Sequence, residues 1–408
     1  MAKKALELSQ RECKEEEKRH IGYYLIDDGK TELTEKVRGQ RVKKLSNRNK
    51  MMIFGGMQIL IAGLIAWGEG WIWHQKVDAN FISSILLAIL TFCISVQSVK
   101  LIGQYLLGKL IKPRRIPKLD FQNGVPKEYA TFIVIPTILN QEKKVEEFFK
   151  KLEVFYLANK SENLYFALLG DCTSGTKQVE PIDTKIIQAG IREVEKLNQK
   201  YSEGEEKKFY FLYRKRTWCD GEECYLGWER KRGLLTQFNE CLLEGEQDGF
   251  SYVSFRTEER PDVRYVITLD ADTDLVLNTG LELIGAMAHI LNHPKLNPEK
   301  DLVIRGHGII QPRIGIDLEA SLKTNFTKIF AGSGGVDSYT NAISDIYQDN
   351  FQEGIYTGKG IYDLKTFDQV LKGKIPENVV LSHDLLEGSY LRCGLASDIL
   401  LMDGYPKN

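Results

Sequence analysis

The chain has 408 residues, room for two or three ordinary domains, and carries 55 Lys and Arg against 56 Asp and Glu. The resulting formal charge of −1 argues against a partner held chiefly by phosphate neutralisation, so no nucleic acid is expected. With 43% hydrophobic and 27% charged residues, the chain is neither disordered nor a pure membrane bundle.

Residues 1–50 form a charged segment, helical in part, that says little about chemistry. From Met51 to Trp67 the one strongly polar residue is Gln58, and Trp71 and Trp73 follow; from Phe81 to Val99 no residue is charged. Each run approaches the roughly 20 residues that cross a bilayer as a helix, and neither shows the polar face of a soluble core helix. A two-helix transmembrane hairpin is therefore expected over about 51–73 and 79–100. Lys36, Arg38, Arg41, Lys43, Lys44, Arg48 and Lys50 precede it, and Lys100, Lys109, Lys112, Arg114, Arg115 and Lys118 follow. The connection offers Lys76 beside Glu69 and Asp78, so the positive-inside rule puts both termini in the cytoplasm. The long charged lead argues against a cleaved signal peptide. Leu101 to Lys118, apolar and basic by turns, reads equally as an interfacial helix or as the end of the second span.

Over 119–408 the pattern changes. Tyr129–Pro136, Leu164–Gly170, Lys208–Tyr213 and Val263–Leu269 read as buried strands. Between them Glu142–Tyr156, Asp183–Tyr201 and Arg232–Leu243 read as amphipathic helices. Buried strands alternating with amphipathic helices predict an α/β domain with a mainly parallel sheet covered on both faces. Ligands of such sheets bind at the carboxyl ends of the strands, which here means Pro136-Thr137, Asp171 and the acidic run after Leu269. Leu302–Pro312 reads as a strand pair, and Phe330–Gly360 as rich in loops. The seven cysteines are spread without a CxxC pair; they supply neither a disulfide framework nor a zinc site, and read as reduced thiols.

The sharpest local signal is Asp270, Asp272 and Asp274, at i, i+2 and i+4 directly after a strand. Such crowding of like charge is costly unless a cation offsets it. An EF-hand loop would need Gly at its sixth position and Glu at its twelfth, where Leu275 and Leu281 stand. A phosphatase with an aspartyl nucleophile would carry Thr or Val where Asp274 is, and would carry it earlier in the domain. A DxD site, in which Mg²⁺ or Mn²⁺ bridges carboxylates and the diphosphate of a nucleotide sugar, accounts for all three acids. A turn capping a helix from near Asn278 accounts for one.

Two more segments suit the same chemistry. Trp228-Glu229-Arg230-Lys231-Arg232-Gly233 gathers cations at a helix start, a natural diphosphate seat or else a solvated basic patch. In Leu381-Ser382-His383-Asp384-Leu385-Leu386-Glu387-Gly388, Asp384 at a helix start is either a general base or an N-cap.

With these stretches in view the sequence resembles the glycosyltransferase region of the cyclic β-1,2-glucan synthases. The resemblance is carried by HIGYYLIDDGK at 20–30, FIVIPTILN at 132–140, LEVFYLANKSENLYFALLGD at 152–171, LGWERKRG at 226–233 and RYVITLDADT at 264–273. GAMAHILNHP at 285–294, IYQDNFQEGIYTGKGIYDL at 346–364 and LSHDLLEGSYLRCG at 381–394 continue it in order. It implies a GT-A fold and a membrane-anchored enzyme of the bacterial inner membrane, its catalytic domain cytoplasmic. It implies transfer of glucose from UDP-glucose to a growing β-1,2-glucan acceptor, with inversion. Carried over by motif, Thr137 and Asp171 border the uridine, Lys231 and Arg232 face the diphosphate, and Asp270 and Asp272 hold the sugar nucleotide and its Mg²⁺ or Mn²⁺. Asp384 becomes the base that deprotonates the acceptor, favoured as an anion if it opens a helix. Gly358, Lys359 and Gly360 line the acceptor side. Related enzymes continue past Asn408 with a Gln/Arg/Trp motif, more membrane helices, and cyclising and phosphorylase regions. The sequence accordingly reads as a truncated or split form, with a separately encoded remainder as a partner. A processive synthase of another β-glucan and a silent membrane fragment that binds nucleotide sugar are the alternatives.

Overall fold

The computed structural model describes every residue except 12, 14, 40–45, 77–79, 111–114, 202–205, 318–321, 323, 325–347, 349–350, 376–382 and 405–408. Most of the loop-rich stretch expected from Phe330, together with Leu381, Ser382 and Tyr405–Asn408, lies outside the described residues. The chain divides into two compact units, Met1–Arg114 with Ser344–Gln352, and Arg115–Ile343 with Glu353–Asn408.

In the first unit, short helices α1 (Ala2–Ser9), α2 (Ile21–Ile26) and α3 (Lys30–Arg38) bury Ala5, Leu8, Tyr23, Tyr24 and Leu33 among themselves. Gly29 is required there, because a Cβ would run into the rings of Tyr23 and Tyr24. Two long helices follow, α4 (Asn47–Lys76) and α5 (Phe81–Leu110). They pack as an antiparallel pair, with Gly70 against Ala88 and Thr91 donating to Glu69 at 2.9 Å. Both are long and apolar enough to cross a membrane, and only 11% and 6% of their most apolar windows is buried within the protein. Leu101–Leu110 continues α5 in one helix, whereas Ile116 is buried in the core of the second unit.

The second unit is built on β1 (Thr131–Ile138), α6 (Glu142–Ala158), β2 (Leu164–Asp171), α7 (Pro181–Tyr201) and β3 (Phe209–Arg214). A hairpin of β4 (Thr217–Cys219) and β5 (Cys224–Leu226) leads into α8 (Arg230–Leu243), β6 (Phe250–Val253), β7 (Tyr265–Thr268) and β8 (Thr273–Asp274). Next come α9 (Thr279–Ala288), β9 (Lys295–Leu296), β10 (Val303–Arg305) and β11 (Ile309–Ile316). Last are β12 (Gly360–Asp363), α10 (Leu364–Leu371), α11 (Asp384–Leu391) and β13 (Gly394–Asp403).

Among the described residues the main sheet has the order β6-β3-β2-β1-β7-β12-β11-β13-β8. Strands β3, β2, β1, β7, β11 and β13 run one way, and β6, β12 and β8 oppose them. The expected mainly parallel α/β sheet flanked by helices is thus present, as a mixed sheet. One core, with Val145, Phe149 and Leu152 of α6, Ile186 of α7 and Ile284 of α9, covers one face. Leu234 and Phe238 of α8, Phe367 of α10 and Leu391 of α11 cover the other. Pro136 sits in β1 where pairing with β7 has already ended, so its missing N–H costs no ladder bond on that side. The strand pair expected over Leu302–Pro312 is corrected: β10 pairs with β9 in a separate small sheet, while β11 joins the main one. The short turn between them redirects the chain at Gly306, whose φ is +67°.

Candidate functional site

Topology gathers the predicted residues at one edge of the sheet. Thr137, Asp171, Asp270 and Asp403 all lie at the carboxyl ends of strands that run the same way. Strand β12 runs against β7, with Gly360 opposite Thr268, so the turn Gly358-Lys359-Gly360 arrives at that edge too. Left-handed φ angles of +86° and +144° at Gly358 and Gly360 make this turn possible. Gln311 of β11 anchors it, accepting from the backbone N–H of Thr357 at 2.6 Å and from its hydroxyl at 3.0 Å.

Asp270 is the centre of the cluster. Lys231, in the first turn of α8, donates to its Oδ1 at 2.5 Å and to the carbonyl oxygen of Gly358 at 2.7 Å. Lys359 lies 3.2 Å from its Oδ2 and also grips Oδ2 of Asp403. Burial opposes ionisation of Asp270, but the two ammonium groups outweigh it and hold the carboxyl below its ordinary range. Asp403 is fixed in turn by the Thr273 hydroxyl, which donates to its Oδ1 at 2.6 Å.

The other acids of the cluster go elsewhere. Asp272 has an exposed side chain, while its carbonyl accepts from the Gly404 N–H at 3.0 Å. Asp274 is exposed and pairs with Lys151 at 2.9 Å. The crowding inferred from spacing is therefore relieved by three lysines and by the direction of the loop, and no side chain caps α9 at Asn278. Among the described residues no group of three or more His, Cys, Asp or Glu is assembled to hold a metal. The donor chemistry nevertheless fits a hard divalent ion: Asp270 and Asp403 already face one cationic group, the Lys359 ammonium, and Asp272 follows Asp270 in the same loop.

Asp384 opens α11, and a Cβ at Gly358 would come within 3.0 Å of its carboxylate, so the acid backs directly onto the turn. The helix start was expected to favour the anion. Burial instead raises the Asp384 carboxyl, with Asp270 adding to the rise and Lys231 opposing it. One turn along α11, Glu387 is 7% exposed, and burial with Asp384 nearby pushes its carboxyl up to about 7.

Arg232 does not join Lys231. Neighbouring helix residues point about 100° apart, and Arg232 is held by Glu229 and by the carbonyl of Ile375 at 2.9 Å. With these two partners it braces the start of α8 against the segment at Ile375. Asp171 is 2% exposed and faces the fully buried Arg214 at 3.6 Å; burial raises its carboxyl despite that cation. Arg214 also donates to the carbonyls of Trp228 at 2.7 Å and Arg230 at 3.1 Å, and to Gln237 at 2.7 Å. It thereby shapes the turn that presents Lys231, where Glu229 and Arg230 both take φ of +47°. Thr137 is half-buried at the end of β1, with Gly170 as its register partner in β2.

Sequence reasoning missed Arg214, Gln311, Asp403 and the burial of Glu387. Arg214 carried a usable signal, a charge at the last position of a buried strand, the same signal that singles out Asp171. Asp403 and Gln311 carried none, since their roles arise from pairing with β8 and with the turn before β12.

No protein-family model matches the chain. Over 296 residues, 72% of its length, it is 38% identical to the cyclic β-(1,2)-glucan synthase NdvB of Rhizobium meliloti (strain 1021), and it spans about a tenth of that protein. Among solved structures it is similar to the galactosyltransferase LgtC in complex with donor and acceptor sugar analogues. There the identity is 14%, the coverage 65% of this chain and 72% of that one, and the TM-score 0.24, too loose a likeness to inform the site. The chain is thus related by sequence, across most of its length, to a segment of a cyclic β-1,2-glucan synthase.

Proposed function

We propose that the chain is an inverting glucosyltransferase that takes glucose from UDP-glucose and extends a β-1,2-glucan. The observation that carries this reading is the meeting of Asp384, Asp270 and Lys231 at the Gly358 turn, in a chain whose sequence follows a glucan synthase. Asp384 serves as base: its raised carboxyl makes the anion a better proton acceptor for an acceptor hydroxyl. That oxygen attacks the anomeric carbon as the bond to the diphosphate breaks, and a single displacement converts an α-linked donor into a β-linked product. Lys231 and Lys359 offset the charge gathering on the departing UDP. Asp270 and Asp272 would hold Mg²⁺ or Mn²⁺, which supplies further charge neutralisation at the diphosphate. Asp171 acts from beneath, through Arg214, on the turn that carries Lys231. Thr137 borders the nucleoside, and the Gly358–Gly360 turn separates donor from acceptor.

Helices α4 and α5 are proposed to anchor the protein in the bacterial inner membrane, with the sheet domain on the cytoplasmic side. The test is incubation of the full chain in detergent with UDP-glucose and a short glucan, followed by linkage and anomeric analysis. New β-1,2 bonds that disappear in Asp384→Asn support the reading. Another β-linkage would assign a different glucan, and UDP binding without turnover would assign the silent fragment.

A further inference from the structure

Among the described residues Lys359 is the one group that pairs with both Asp270 and Asp403, and it is buried. Its ammonium therefore stands where carboxylate oxygens from two strand ends converge, one of them on Asp270, the acid that would hold a divalent ion. The turn that carries it is flanked by two glycines in left-handed conformations, and Lys231 holds the carbonyl of Gly358. The backbone is thus bonded to the same helix start that would receive a diphosphate.

We propose that the Lys359 ammonium is the resident cation of the donor site, holding the seat between Asp270 and Asp403 until a nucleoside diphosphate draws it away, so that a divalent cation binds well only together with the nucleotide. This rests on the donor-site reading above and adds an order of loading to it. The argument is one of charge. With the seat as built, two ammonium groups are balanced by Asp270 and Asp403. A divalent ion entering alone at Asp270 would displace the buried Lys359 ammonium from that carboxylate and leave positive charge unmatched, which a low dielectric penalises. A diphosphate supplies the missing anions, and Lys359 moves from carboxylate to phosphate oxygen without losing a partner. Asp403 is on this view a positioning residue, tethering the lysine through a carboxylate that Thr273 orients.

The experiment is a titration of the full chain in detergent with Mn²⁺, followed by the electron paramagnetic resonance signal of the free ion, with and without UDP. Wild type should bind Mn²⁺ at least about tenfold more tightly with UDP present, and by reciprocity Mn²⁺ should tighten UDP by the same factor. Lys359→Met should bind Mn²⁺ without UDP about tenfold more tightly than wild type does, while Lys359→Arg, which keeps a cation, should behave as wild type. A wild type indifferent to UDP, or a folded Lys359→Met that titrates like wild type without UDP, would overturn the inference and leave the donor site standing. Failure of wild type to take up Mn²⁺ or UDP in any combination would overturn the donor-site reading itself, and this inference with it.

Discussion

Asp384 stands at a helix start, where the dipole favours an anion, yet its carboxyl is raised, because burial outweighs that attraction. A base must be deprotonated to act, so kcat/KM should fall as pH drops through a value above the ordinary aspartate range of about 4. Asp384→Asn should lower transfer by roughly 10²–10⁴-fold while UDP binding, measured by calorimetry, survives. Glu387 permits a separate check. Its carboxyl lies at about 7 rather than 4.5, so between those values the native state holds a proton that the unfolded chain releases. Stability should therefore fall as pH rises through that window, by on the order of 3 kcal/mol for this group. Glu387→Gln should remove that slope in denaturant unfolding and stabilise the protein at pH 8; a slope unchanged in the variant would refute the assignment.

At the scale of elements, the turn from Gly227 to Gly233 shows why a motif reads as it does. A Cβ at Gly227 would strike the Asp171 carboxylate and the Arg214 guanidinium, and one at Gly233 would strike the carbonyl of Trp228. Gly227→Ala should cost about 1–3 kcal/mol by overpacking and should weaken UDP binding, because the start of α8 must shift. Arg214→Met removes three donated hydrogen bonds and leaves Asp171 without its cation, for which a loss of about 3–5 kcal/mol is expected on thermal or denaturant unfolding. The cation run at 230–232 stands out in the sequence, but the division of contacts within it does not. Arg230 reaches toward Cys172 and Ser174, Lys231 toward Asp270, and Arg232 toward Glu229. A linear run cannot show which residue faces which wall, since each step around the helix turns the side chain away.

For the whole molecule, the proposed anchoring makes its own demand. Trp67, Trp71, Ile82, Ile94 and their neighbours leave two apolar helix surfaces open, which water would penalise and lipid would cover. The protein should resist carbonate extraction from membranes. A cysteine introduced at Asn80 should react with an impermeant maleimide from outside intact spheroplasts, and one at Lys118 should not. The reverse labelling would invert the proposed orientation.

The strands, the helices between them and the two long apolar helices were readable because each depends on a repeat of hydropathy over neighbouring residues, and burial imposes such a repeat locally. The relation to glucan synthases was likewise readable from ordered motifs. What only the tertiary structure decided is which charges meet. Asp270, Lys231, Lys359 and Asp403 come from four distant segments, and an antiparallel strand delivers Lys359 to the edge where parallel strands end. Coulombic attraction acts through space and leaves no periodic trace along the chain, so the partner that offsets Asp270 became visible only when the sheet had closed.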